Sequence, residues 1–433
     1  MDILTLGSRE DWRVFRLGQV FRERKEKGSD KEFPPLSVTM KGIVPQLESA
    51  AKSDDGDNRK IVRVGDYVIN SRSDRKGSGG ISKYEGSVSL ISIVLEPIGI
   101  APRFAHFLLR SSAFQEEFYR WGHGIVADLW TTRYADMKNI RLRLPDLSTQ
   151  CQIADFLDRE TTRIDSLIEK KERLAELLEY RAKNALRIAV SGGVTVSPST
   201  NEDWLNDISP PWKLIPLKHI TTALGGATPS KDREEYWEGN IPWVSPKDMK
   251  SDVIYDVPDH VFESAIAESA LSRVPAGAVL IVVRGMILAR TIPVCRLGND
   301  GTINQDMKAL LPNIEILSGE YLQRMLQGFD DVLMSLVEEA AHGTKKLRSD
   351  RLFNMKFPIP DKATQNRVLR DYEAVRTSSM LLRERMATSV NRLKEYRSAL
   401  ITAAVTGQID VKAYHKRDKT DRTLDRIEAE MSS

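Results

Sequence analysis

The chain contains itself twice. Trp12-Arg-Val-Phe-Arg-Leu17 returns as Trp212-Lys-Leu-Ile-Pro-Leu217, and Gly65-Asp-Tyr-Val-Ile-Asn-Ser-Arg72 returns as Gly277-Ala-Val-Leu-Ile-Val-Val-Arg284. Pro145-Asp146 with Gln150 returns as Pro360-Asp361 with Gln365. The offset grows from 200 residues to 212 and then 215, so the second copy carries extra residues in its early loops. Units of roughly 200 residues are far too long for a solenoid. Two related modules are required, and any fold must place each on the same framework.

The period of the apolar residues changes after each copy. Leu157, Glu160, Ile164, Leu167, Lys171, Leu174, Leu178, Arg181, Ala185 and Ile188 alternate three and four apart, a heptad seam that Ser191-Gly192-Gly193 closes. A second seam at Val368, Tyr372, Val375, Ser379, Leu382, Met386, Leu393, Arg397, Leu400 and Ala404 is closed by Gly407. Pseudo-two-fold repetition predicts that these helices run antiparallel, with a globular domain at either end and the C-terminus near the N-terminus. The fold class is α/β (α+β). Its expected parts are residues 1–148, a first domain; 149–193, a central helix; 194–362, a second domain; 363–410, a second long helix; and 411–433, a charged tail, solvated or disordered.

Within the modules, Ile61–Val64, Tyr67–Ile69, Ser87–Leu95, Val279–Val283 and Thr302–Leu311 read as strands. Phe104–Tyr119 and Tyr321–Ala341 read as helices. Residues 71–80 are too polar and glycine-rich for anything but a loop, and Ser197–Asn201 reads as a linker. Hydrophobic residues make up 41% of the 433, enough for ordinary cores. The two cysteines, Cys151 and Cys295, fit a reducing compartment. No signal-peptide pattern opens the chain, and no apolar run approaches the roughly 18 residues of a membrane helix. A cytoplasmic protein without a membrane partner is expected.

Catalytic signatures are missing: there is no phosphate loop, no H-E-x-x-H and no G-x-S-x-G. Ser209-Pro-Pro-Trp212 matches the pattern with which amino-methyltransferases hold a flipped base, but no glycine-rich loop for a methyl donor accompanies it. Glu23-Arg-Lys25 echoes a nuclease motif without the upstream acid. Trp12 and Trp212, beside apolar residues, are expected in the core; Tyr236, Trp237 and Trp243 border a polar loop and fit either core or groove wall.

What remains is binding chemistry. Net charge is only +3, from 64 Lys and Arg against 61 Asp and Glu, so local clustering decides. Basic and small polar residues gather in loops at matched positions of both copies. In the first module they include Arg22, Arg24, Lys25 and Lys27, then Arg72, Arg75, Lys76, Ser78, His123, Thr131 and Arg133. In the second they are Thr228, Ser230, Lys231, Arg233, Lys247, Arg284, Lys345, Lys346 and Arg348. His123-Gly124 and His342-Gly343 are matched as equivalent loops. Such side chains grip phosphate or read base edges, and no catalytic or metal-ligating residue is assigned.

The sequence resembles the specificity subunit of type I restriction–modification enzymes. The residues that carry the likeness are Trp12–Leu17, Pro145–Gln150 with its helix, Gly226-Ala-Thr-Pro-Ser230, Tyr236-Trp237, Ile241–Met249, Val283-Arg-Gly285 and Ile303-Asn-Gln-Asp-Met-Lys308. It covers nearly the whole chain, more closely in the second module. The glutamate usual before the helix-opening Gln is Thr149 in one copy and Thr364 in the other, which puts a capping role there in doubt. The resemblance implies two target recognition domains, each reading half of a split double-stranded DNA site, with half-sites about 34 Å apart. It implies helices that act as a ruler and as a platform for two modification (methyltransferase) subunits and, through them, restriction subunits. It implies no cofactor in this chain; S-adenosylmethionine, ATP and magnesium belong to those partners. Two other readings stay open: a coiled-coil assembly scaffold that binds protein, and a self-contained DNA amino-methyltransferase.

Overall fold

The computed structural model describes residues 5–46, 56–72, 75–124, 130–194, 204, 205, 208, 210–340 and 343–414. They divide into two compact units. One comprises residues up to Glu172 together with those from Ala387 onward; the other is Arg173–Met386.

Both long helices are present. They run Leu147–Val190 and Lys362–Val405, 44 residues each. At 1.5 Å per residue each is about 66 Å long. In the first unit Asp165 pairs with Arg397 at 2.8 Å and Glu172 with Lys394 at 3.1 Å. One number climbs as the other falls, so the helices are antiparallel there. Glu179 pairs with Arg383 at 2.8 Å in the second unit. Asp165, Glu172 and Glu179 are seven residues apart, as expected of acids flanking a heptad seam.

The second seam is at least half-buried at every position named for it. The first seam drifts: Arg181 is exposed and Ile188 is 52% exposed, whereas Leu186 and Val190 are buried. A straight helix repeats every 3.6 residues, so a strict seven-residue pattern slides off its face within a few turns. Each long helix ends on a left-handed glycine under a tryptophan. A Cβ on Gly192 (φ +69°) would lie 3.0 Å from the Trp212 ring, and one on Gly407 (φ +76°) would lie 3.1 Å from Trp12. Trp12 is buried and Trp212 half-buried, so both repeated tryptophans seat the start of a module on a helix end. In the first unit this brings both ends of the described chain together, with the Ser8 N–H donating to Thr406 O at 2.8 Å.

The modules share a frame. In the first, the antiparallel pair Arg13–Arg16 and Arg141–Leu144 leads into a sheet ordered Phe21–Glu23, Ser92–Pro97, Tyr67–Asn70, Gly79–Ile81. In the second, Lys213–Pro216 pairs with Lys356–Ile359, and the sheet runs Thr221–Gly225, Met307–Pro312, Val279–Val282, Val294–Leu297, Val253–Ile254. Each module adds its own small layer. In the first it is built on Leu36, Ile43, Val62 and Val88; in the second on Tyr236, Ile241, Trp243 and Val261. Tyr236 and Trp243 are thus core.

Five sequence expectations need correction. Residues 71–80 are not loop throughout, since Gly79 and Gly80 open the strand Gly79–Ile81, paired with Ile69 and Val68. The helix over Phe104–Tyr119 is two, Pro102–Arg110 and Ser112–Arg120, because Ser111 takes an extended backbone and its hydroxyl caps the next helix through Phe114 N–H. Serine competes for backbone donors and so prefers a helix start to a helix interior. Ser87–Leu95 is two strands, Gly86–Val88 and Ser92–Pro97. Thr302–Leu311 likewise divides into Thr302–Ile303 and Met307–Pro312, where Asn304 accepts from Asp306 N–H to make a turn. The helix over Tyr321–Ala341 runs Gly319–Gly328 and Asp330–Met334, then gives way to a strand, Val337–Glu339. Pairing with Lys345–Leu347 overrides the helical pattern there. Ser197–Asn201, Ser209, Ala341, His342 and the tail from residue 415 lie outside the described residues.

Candidate nucleic-acid interface

The same joint fixes each module to its long helix. The Gln150 amide is 2% exposed; it accepts from Ala101 N–H at 2.8 Å and donates to Pro145 O at 2.9 Å. Gln365, also 2% exposed, accepts from Ser318 N–H at 3.3 Å and donates to Ile316 O at 2.8 Å and Pro360 O at 3.0 Å. Ala101 and Ser318 open equivalent helices of the two modules. The long helices are capped by Asp146 and Asp361, which accept from Thr149 and Thr364 N–H at 3.0 and 2.8 Å. Those backbone donors hold both carboxyls below their ordinary range. The threonines in the usual glutamate's place therefore leave the cap intact; aspartate performs it.

Distant candidate residues meet at the end of each sheet. Arg72 follows the strand Tyr67–Asn70, and Arg284 follows Val279–Val282 at the equivalent step. Arg72 forms an antiparallel bridge with Thr131, and Thr131 forms another with His123. Arg284 forms an antiparallel bridge with Lys346, which is paired in turn with Glu338. Directly opposed residues of antiparallel strands project their side chains to one face, with Cβ atoms about 4.5–5.5 Å apart. Each module therefore carries a row of three: Arg72, Thr131, His123 in one and Arg284, Lys346, Glu338 in the other. Thr131 and Lys346 are 215 residues apart, as are His123 and Glu338. The ladder thus makes Glu338 the counterpart of His123, in place of the match with His342, which lies outside the described residues.

The cationic candidates fall into two groups. Among the described residues, the charged groups of Arg72, Arg133, Lys231, Arg284 and Lys346 meet no carboxylate, and all five residues are exposed. Others are held. Lys76 meets Glu116 at 2.5 Å and Lys247 meets Asp259 at 2.6 Å. Lys345 meets Glu339 at 2.7 Å; Arg348 meets Asp350 at 2.7 Å and Glu338 at 3.3 Å. Asp259 raises the Lys247 ammonium above its ordinary value, and Arg348 pulls the Asp350 carboxyl down to about 2. Arg75, in the turn after Arg72, accepts at its carbonyl from Ser78 N–H at 2.9 Å.

Two clefts on the second module bring several of the candidates together. One of about 480 Å³ lies between Arg284, Lys346, Arg348, Glu338, Gln305 and Lys308. Thr228 donates to the Gln305 side chain at its mouth. The other, about 640 Å³, is lined by Lys231, Lys247, Trp237 and Trp243. The half-buried Trp237 spends its N–H on Ser230 O at 3.1 Å and stands edge-on to Trp243.

Ser78 is a correction: at 5% exposed it lies inside the first module, packed behind the turn that presents Arg75, and cannot meet a ligand. Arg24 is another. Asp66 clamps it at 2.7 Å, and its side chain is only 15% exposed, so it serves the fold. Glu338, Asp350 and Gln305 line the cleft without having been legible as site residues, because a search for cations passes over them; Lys308 was missed because it stands in the strand Met307–Pro312 and not in a basic loop. Trp212, the aromatic of the methyltransferase-like pattern, is occupied in packing over Gly192. No helix among the described residues is long and apolar enough to cross a membrane, and no group of three or more potential metal ligands occurs among them.

Residues 210–374 match the family model described as the type I restriction modification DNA specificity domain. The chain is 32% identical over 187 residues to the EcoR124I/EcoR124II specificity subunit of Escherichia coli, covering 43% of this chain and 46% of that protein. It is 28% identical over 162 residues to the MjaIX specificity subunit of Methanocaldococcus jannaschii, covering 36% of each. The chain therefore spans less than half the length of these curated relatives. Among solved structures it is similar to one from a study of complex assembly and conformational transition of the type I R-M system. That likeness has TM-score 0.66 and 18% identity over 94% of this chain and 100% of the other. It is also similar to the HsdS subunit of Thermoanaerobacter tengcongensis, with TM-score 0.54 and 18% identity over 92% and 98% of the two chains. At such identities the structures speak for the fold.

Proposed function

We propose, from the similarity of this chain to specificity subunits of type I restriction–modification systems, that it reads a split double-stranded DNA site, one module to each half, and performs no chemistry itself. The observation that carries the reading is the row of three side chains, built by the same ladder at the same step of both modules. A structural surface has no reason to repeat an exposed arginine at that step, whereas a pair of readers does. Unpaired cations supply salt-dependent affinity through phosphates, and a few base-edge contacts per module supply selectivity. With both modules on one chain, the second engagement is intramolecular once the first is made.

The two long helices offer a platform to partners. Leu177, Tyr180, Met380 and Leu381 are each between 46% and 69% exposed on their outer faces. Two modification subunits would dock there and bring restriction subunits with them. Those partners supply S-adenosylmethionine, ATP and magnesium, and the methyl transfer occurs in them.

The test is to co-express the chain with its modification subunit and map the modified bases across a genome. A motif of two short specific segments separated by a gap of constant length is expected. An uninterrupted motif, or methylation by the purified chain alone, would overturn the reading.

A further inference from the structure

Resting on that reading, we propose that the three-residue row is the base-reading frame of each module. Arg72 and Arg284 select a guanine common to both half-sites, and Glu338 selects a cytosine in the second half alone. Both arginines stand two residues beyond the same sheet strand, both are exposed, and both are bridged to the middle residue of the row. A guanidinium in the major groove is matched by the O6 and N7 acceptors of guanine, which it takes in a bidentate pair. Same residue, same step and same ladder imply the same base.

The remaining positions differ, and so must the bases beneath them. The middle position is Thr131 in one module and Lys346 in the other; the last is His123 in one and Glu338 in the other. Glu338 is the informative one. Its side chain is 46% exposed, beside Lys346 and at the rim of the cleft that holds Arg284. A carboxylate facing DNA is repelled by phosphate and is useful only against a donor, and cytosine N4 is the major-groove donor it fits. The partner of Glu338 in the free protein is Arg348, 3.3 Å away and also paired with Asp350. Because Asp350 keeps its hold on Arg348, the Glu338 carboxylate can turn to the base without stranding a guanidinium.

Methylated-motif mapping of the full chain with its modification subunit tests each position. The unaltered protein should show a guanine at corresponding places of both half-sites. Arg284→Ala should lower the preference for that guanine by ~5- to 100-fold in the second half and leave the first half unchanged. Arg72→Ala should do the converse, and Glu338→Ala should relax one cytosine of the second half. The untouched half reports that the variant is folded and assembled. No guanine shared between the halves, or variants that lower methylation evenly with the motif intact, would overturn the proposal while the split-site reading stands. Absence of any split motif in the unaltered protein would instead overturn that reading.

Discussion

Truncating Gln150 tests whether the buried amide is what fixes a module to its helix. Gln150→Ala deletes an acceptor for Ala101 N–H and a donor to Pro145 O, both within 3 Å of the amide. The Ala101 N–H opens the helix Pro102–Arg110 and lies outside that helix's own ladder. Each buried group left unpaired costs about 1–3 kcal/mol. Because Ala101 is half-buried and water can recover part of the loss, the net expectation is about 2–4 kcal/mol. For a unit of about 200 residues, 1 kcal/mol moves Tm by roughly 2–4 °C, so the midpoint should fall by about 4–16 °C. Calorimetry measures the fall, and hydrogen exchange locates it: uptake should rise over residues 101–110. Gln365→Ala should do the same over residues 318–328. Gln150→Glu sharpens the test. The protonated acid can still donate to Pro145 O, whereas the carboxylate meets that carbonyl with a buried charge. Its folded pKa should lie above the unfolded value of about 4.3, so the variant should be near native at low pH and weaken as pH rises through that range. A Tm within about 2 °C of the parent for Gln150→Ala, with exchange unchanged, would refute the reasoning.

Asp252 accepts from Arg324 at 3.1 Å and Gln327 at 3.3 Å and pairs with Arg376 at 2.5 Å; burial alone would raise its carboxyl, but these donors and charges hold it below the ordinary range. Its contribution is thus present above the unfolded value of about 3.9 and lost as pH falls through the lower folded value. Asp252→Asn should lower stability at pH 7 and flatten the acid limb of an unfolding curve. Gly192→Ala and Gly407→Ala should each cost about 1–2 kcal/mol, read as a loss of Tm, since both combine a left-handed backbone with a tryptophan where the methyl would sit. Lys231→Ala should reduce the slope of log binding constant against log salt by about 0.9, read by fluorescence titration at several ionic strengths, if its free ammonium grips one phosphate.

Much of the frame was legible because it rests on short, local chemistry repeated twice. Trp12 and Trp212, Asp146 and Asp361, and Gln150 and Gln365 do the same work in both copies, and resemblance between the copies exposes them. The second helical seam was legible for a similar reason: its period persists over the whole element. The reading row was only half legible. Its arginines follow a repeated strand, but Thr131 reaches Arg72 across 59 residues and Lys346 reaches Arg284 across 62, by pairings that no local pattern encodes. Glu338 was hidden altogether, since a helical period ran through it until the strand Lys345–Leu347 claimed it. Charge told less than it promised. Lys345 and Arg348 look as available in sequence as Arg284 and Lys346, and only the fold shows that Glu339, Glu338 and Asp350 already hold them.

The central claim is that each module reads its own half of one DNA site. Replacing residues 210–360 by the corresponding module of a specificity subunit with a different motif, then mapping methylated sites with the modification subunit present, tests it most directly. One half of the motif should change to that of the donor, while the other half stays as it was. A motif altered in both halves, or in neither, would contradict it.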